Sequence, residues 1–168
     1  MSAAATIRPL QPADIAAITA IYGHYVRTST ASFETVPPGE EEMRRRAADV
    51  LDRGLPYLVA ESGGRVAGFA CAVPYRPRAA YARTLESSVY VVPDAAGRGI
   101  GRALMERLIA ECRALGGHRL IAVVGGADNA ASLALHDGLG FRRAGIFREA
   151  GFKFGRPVDT VLFELALD

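Results

Sequence analysis

The stretch from Ser88 to Leu104 limits what this chain can fold into more than any other. A valine-rich run, Val89-Tyr90-Val91-Val92, stops at Pro93 and passes through a turn carrying Gly97, Gly99 and Gly101. An amphipathic helix follows from Arg98 to Leu115, with Ile100, Leu104, Leu108, Ile109 and Cys112 on one face and Gly116-Gly117 as its stop. Strand, glycine turn and helix in that order place the helix start beside the strand end. There the first turn has N–H groups without intrahelical partners and a partial positive charge. Glycines let a ligand come close to that backbone, and a phosphate or diphosphate suits it. Arg98 and Arg102 can add charge-assisted bonds. A dinucleotide fingerprint would want a further glycine near Leu104, and a P-loop would want Gly-Lys-Ser/Thr where the chain has Gly101-Arg102-Ala103. Both are excluded, which leaves another phosphate ligand or a glycine turn that binds nothing.

The rest of the pattern sets this unit in a mixed fold. A short strand at Thr6–Arg8 precedes a helix opened by Pro12-Ala13-Asp14 and patterned by Ile15, Ile18, Ile21 and Tyr22, with Gly23 expected to weaken its end. A polar loop from Thr28 to Pro38 carries Phe33 and Glu34, and a charged helix runs from about Glu40 to Arg53. Strands at Tyr57–Glu61 and Val66–Val73 flank Ser62-Gly63-Gly64-Arg65, a hairpin signal. After a basic, aromatic loop at Pro74–Arg83 comes the strand Leu85–Val92. The apolar run Leu120–Val124 reads as a buried central strand, and Asn129–Leu139 as a short helix. Two strands, Phe141–Phe147 and Val158–Leu167, complete the chain. The expected class is α+β, with helices on the faces of a mixed, mostly antiparallel sheet of about six to seven strands.

At 168 residues, 50% hydrophobic and 23% charged, the composition is that of one globular domain spanning residues 1–168. No apolar run approaches the roughly 20 residues that cross a bilayer, and Met1–Ala5 has no signal-peptide character, so no membrane association and a cytoplasmic location are expected. The charge of +2 and the lack of a basic helix argue against nucleic acid. Lys153 is the only lysine. The arginine bias suits anions, and a skewed codon usage would produce it too. Cys71 and Cys112 read as free core thiols. His24, His118 and His136 lack metal-ligand spacing, so no metal is expected.

Gly97-Arg98-Gly99-Ile100-Gly101-Arg102-Ala103-Leu104 resembles the pyrophosphate-binding loop of the GNAT superfamily of acetyltransferases. The family usually has Gln or Arg where this chain has Ala96, a small loss for a loop that works through its amides. Asn129-Ala130-Ala131-Ser132 through Gly140-Phe141 resembles the superfamily's later helix-to-strand motif. Thr30–Thr35, Thr84–Val91 and Lys153–Asp159 resemble the phosphinothricin and methionine sulfoximine acetyltransferase branch, as do Arg78 and Tyr81 in the basic loop. Pro157 stands where that branch commonly has Trp.

The resemblance implies a GNAT-like fold, acetyl-CoA as cosubstrate, a small amino-acid-like amine as substrate and a homodimer. It implies that Val89, Tyr90 and Val91 pair with the pantetheine arm, that Asn129 and Ser132 contact it, and that Gly97 to Arg102 hold the diphosphate. An amine attacks a thioester only when neutral, yet an α-amino group is mostly protonated at pH 7. Glu86, on one strand face with Ser88 and Tyr90, is the expected base, directly or through water. His136 stands where many relatives carry a Tyr that protonates the departing thiolate, and it can serve there or assist the base. A bulge in Val89–Val91 would free amides for the thioester oxygen. Arg76 and Arg78 are expected to clamp a substrate anion, with Phe33, Tyr75 and Tyr81 as walls. Two rival readings remain: an acetyltransferase of protein N-termini or lysines, and a non-catalytic CoA-binding domain.

Overall fold

One sheet with two apolar faces accounts for the layering in the computed structural model, which describes residues 5–168. In β2 (Tyr57–Ser62), Tyr57 and Val59 join Phe69 under α1 (Ile15–Thr28) and α2 (Glu40–Asp52). Leu58 and Ala60, pointing the other way, lie under α3 (Ile100–Ala114). Leu104, Met105, Leu108 and Cys112 on α3 are fully buried, and each such side chain contributes about 1.5–3 kcal/mol. A Cβ at Gly68 would meet the Tyr90 carbonyl at 2.8 Å, so this glycine brings the strands and α3 together.

The remaining strands are β1 (Thr6–Pro9), β3 (Arg65–Pro74), β4 (Thr84–Val91), β5 (Arg119–Gly125), β6 (Arg142–Lys153) and β7 (Arg156–Ala166); α4 (Ala130–Gly138) lies between β5 and β6. The sheet order is β1-β2-β3-β4-β5-β7-β6. All neighbours are antiparallel except β4 and β5, which α3 connects as a parallel pair. No helix among the described residues is long and apolar enough to cross a membrane.

The helix α1 runs through Gly23 to Thr28. Two sequence expectations need correction. Val123 is not buried: it is 41% exposed, because β4 and β5 part beside it. The strand expected to end at Phe147 continues to Lys153 through an irregularity between Phe147 and Gly151. Glu149 there has φ 53°, and Asp159 accepts from its amide at 2.8 Å and from Arg148 at 2.9 Å. A polar bulge of this kind breaks the period-two pattern on which strand reading relies.

Candidate active site

The site arises where two neighbouring strands stop pairing. β4 pairs with β5 from Thr84↔Arg119 to Ser87↔Ala122 and no further, whereas its register with β3 continues unbroken to Gly68↔Val91. Val92 donates to the Ala67 carbonyl at 2.8 Å, so even-numbered residues of β4 turn their amides toward β3. By alternation, those of Val89 and Val91 face the gap. The Tyr25 hydroxyl takes the Val91 carbonyl, leaving the two amides free. The register of β4 with β3 shows no bulge. Divergence of β4 from β5 exposes these donors instead.

A cavity of about 910 Å³ fills the gap. Gly97, Gly99, Gly101 and Arg102 line it beyond the end of β4. Gly97 and Gly99 have φ of 75° and 81°, which L side chains adopt only under strain. The first bond of the helix runs from Ala103 to Gly99 at 3.0 Å, and no side chain caps its start. Among the described residues, none of the amides from Gly97 to Arg102 donates to a protein acceptor. Such an array at a helix N-terminus fits a diphosphate. The Ile100 side chain is buried in the core and Arg98 is exposed, and neither residue lines the cavity. Arg102 is turned to Glu106 at 2.8 Å and to the Gly138 carbonyl at 3.3 Å.

On the opposite wall Asn129 caps α4, its side-chain oxygen accepting from Ser132 at 3.4 Å, and both residues line the cavity. His136, one turn on, is 4% exposed between Phe141 and Phe163. Its Nδ1 lies 2.7 Å from the Ser132 carbonyl, which can only accept, so Nδ1 carries the proton and Nε2 the lone pair. Burial lowers its pKa and keeps the ring neutral at pH 7.

Glu86 also lines the cavity. It sits on an interior strand opposite Val73, on the face shared with Ser88 and Tyr90, as alternation requires. Burial raises its pKa, against an opposing pull from Arg76. A carboxylate so placed is a stronger base than an exposed one.

Phe33 lines the cavity. Tyr75, Arg76, Arg78 and Tyr81 do not. Tyr75 packs on Tyr81 with ring centroids 5.5 Å apart, and Arg76 lies over the Tyr75 ring. The loop spends its aromatics on itself, and Arg76 acts on Glu86 by charge. Tyr22, Tyr25, Ser32 and Glu34 line the cavity without having been singled out as site residues. Tyr22 followed the helical period of α1, so it looked like core. Glu34 stood in the right loop, but only the fold reveals its pairing with Arg46 at 2.8 Å.

The Acetyltransferase (GNAT) family model matches residues 18–141, from α1 to the residue before β6. The chain belongs to the GNAT acetyltransferase family. Among relatives of this GNAT chain, phosphinothricin N-acetyltransferase of Alcaligenes faecalis is 56% identical over 165 residues, covering 98% of this chain and 84% of that one. L-methionine sulfoximine/L-methionine sulfone acetyltransferase of Salmonella typhimurium is 40% identical, covering 97% and 95%. The crystal structure of a GNAT superfamily phosphinothricin acetyltransferase from Sinorhizobium meliloti in complex with AcCoA superposes with TM-score 0.95 at 42% identity, covering 98% and 89%. These likenesses extend past the family match into the β6–β7 hairpin.

Proposed function

We propose that this GNAT chain is an acetyl-CoA-dependent N-acetyltransferase for the primary amine of a small amino-acid-like substrate such as phosphinothricin, methionine sulfoximine or methionine sulfone. One observation carries the reading: a single cavity joins unpaired amides at a helix start, a free strand edge and a half-buried carboxylate. The names of the relatives support the substrate class.

Acetyl-CoA supplies the acyl group as a thioester, which an amine attacks directly within a ternary complex. The amides of Gly97 to Arg102 suit its diphosphate, and Asn129 and Ser132 flank the path from there toward β4. Glu86 lies five residues before Val91, about 17 Å along the strand, so base and diphosphate site stand at separate parts of one cleft. The free amides of Val89 and Val91 suit a carbonyl oxygen gaining charge. Glu86 takes the proton of the substrate ammonium. His136, neutral with its lone pair on Nε2, enters the cycle as a proton acceptor, and it can deliver a proton to the thiolate only after taking one up. Arg78, outside the cavity lining, serves a substrate anion only if the substrate reaches its loop.

We further propose that the chain works as one domain in the cytoplasm and as a homodimer. Support for the dimer comes from β6, an edge strand that leaves Phe147 59% and Phe152 72% exposed.

Purified protein with acetyl-CoA should release free CoA on addition of L-methionine sulfoximine or phosphinothricin, and much less on addition of peptides. Faster turnover of peptides would replace this reading by the protein-acetylating one. No turnover with any amine, despite binding of CoA, would leave a non-catalytic CoA-binding domain.

A further inference from the structure

The loop Ser29–Glu34 follows α1 and forms one wall of the cavity without belonging to any helix or strand. Nearly every residue in it is tied down. The Ser29 amide donates to the Tyr25 carbonyl at 2.9 Å, and the Thr30 hydroxyl to the Gly125 carbonyl at 3.0 Å. The Ala31 carbonyl accepts from Tyr90 at 3.3 Å, and Ser32 shares a 2.9 Å bond with Tyr22. Arg46 grips Glu34 with bonds of 2.9 and 2.8 Å. The Phe33 ring lies so close to Gly151 that a Cβ there would approach it to 2.4 Å.

Beneath the loop lies Lys153, the last residue of β6 and 4% exposed. Its ammonium donates to the carbonyls of Ser29 at 2.7 Å and Ser32 at 2.6 Å, and it lies 5.0 Å from the centre of the Phe154 ring. Burying an ammonium is costly unless its protons are used, and here donors and a π face use them. Methionine would fill the volume without that cost. What it would not do is hold two loop carbonyls from a strand more than a hundred residues away in sequence. Tyr90, which the loop touches, shares its β4 face with Glu86, so the clamped wall stands beside the base.

We infer that Lys153 is a positioning residue for the amine substrate: by holding the carbonyls of Ser29 and Ser32, it fixes the wall made by Ser32, Phe33 and Glu34. The inference rests on the proposed acetyl transfer. Misplacement by about 1 Å far from the chemistry can cost up to about 100-fold. Lys153→Met should therefore raise KM for L-methionine sulfoximine about tenfold or more, with the Kd for CoA, read by calorimetry, within about twofold of wild type. Lys153→Arg, which keeps a charged donor, should recover part of the loss. An unchanged amine KM would overturn the inference, and so would a parallel loss of CoA affinity, which would mark a general structural role.

Because the chain has a single lysine, selective isotope labelling places one lysine signal in the NMR spectrum of the wild-type protein, with no variant required. That signal should shift when L-methionine sulfoximine is added to the CoA complex; indifference to the amine would overturn the inference. Failure of the wild-type protein to acetylate any amine would count against the reaction. In that case hydrogen exchange still tests the clamp. The amides of Ala31 and Glu34, bonded to Ser29 at 2.9 Å and Ser32 at 3.1 Å, should exchange faster in Lys153→Met, and equal rates would overturn it.

Discussion

Glu86 and His136 line one cavity from different elements, and burial moves both toward neutrality. For the carboxyl, neutrality means protonation, so raising its pKa moves the acid limb of kcat/KM to a pH above the ordinary 4.5. Below that limb Glu86 holds a proton and cannot take another; above it the carboxylate is ready. Glu86→Gln should lower kcat by about 10²- to 10⁴-fold, abolish the limb and leave the Kd for CoA nearly unchanged. A pH–rate profile and calorimetry on the same preparation check both parts. The histidine shifts in the opposite direction, becoming harder to charge, and His136→Ala should cost less in kcat than Glu86→Gln. For the basic loop, Arg76→Ala should raise the Glu86 limb further, because the cation that opposes the shift is gone. Arg78→Ala should raise KM for an acidic amine and spare a substrate without the anion; equal losses for the two substrates would dismiss its proposed role. Glu86, His136 and Phe33, singled out through the family resemblance, all line the cavity. The departure of Tyr75 and Tyr81 from the cavity was not legible in the sequence, since ring packing within a loop has no sequence period.

At the scale of elements, the β4–turn–α3 unit carries the proposed diphosphate site. Gly101 separates the site from the fold. It is helical, and a Cβ there would make ordinary contacts of 3.6 Å with Val91 and 3.7 Å with Leu135. Gly101→Ala should thus stabilise the protein by about 0.5–1 kcal/mol. The same methyl would project into the cleft between β4 and α4, so CoA should bind several-fold more weakly. Thermal unfolding and calorimetry moving in opposite directions would support the assignment; unchanged CoA affinity would oppose it. The strand–turn–helix order was plain in the sequence because proline, glycine and a 3.6-residue apolar period mark it locally. The separation of β4 from β5 was not, because it depends on where a crossover helix returns the chain.

For the whole molecule, the exposed edge at β6 is the feature a lone chain does not explain. Ile146, Phe147 and Phe152 along it, and Phe154 just after it, are all at least 43% exposed. Light scattering should give twice the chain mass for the wild type and the single mass for Phe152→Asp; a monomeric wild type would remove the dimer. The sequence by itself determined the class of fold, the strand–glycine turn–helix unit and the short helix after Asn129, since each rests on local pattern, while Glu86 and His136 were singled out by the family resemblance. Tertiary structure alone decided that Val89 and Val91 offer free amides, that His136 is buried with Nδ1 on the Ser132 carbonyl, and that Lys153 holds a loop on the far side of the chain. Those outcomes depend on which distant groups meet, and pairing across such separations follows from the packing of the sheet rather than from any repeat along the chain.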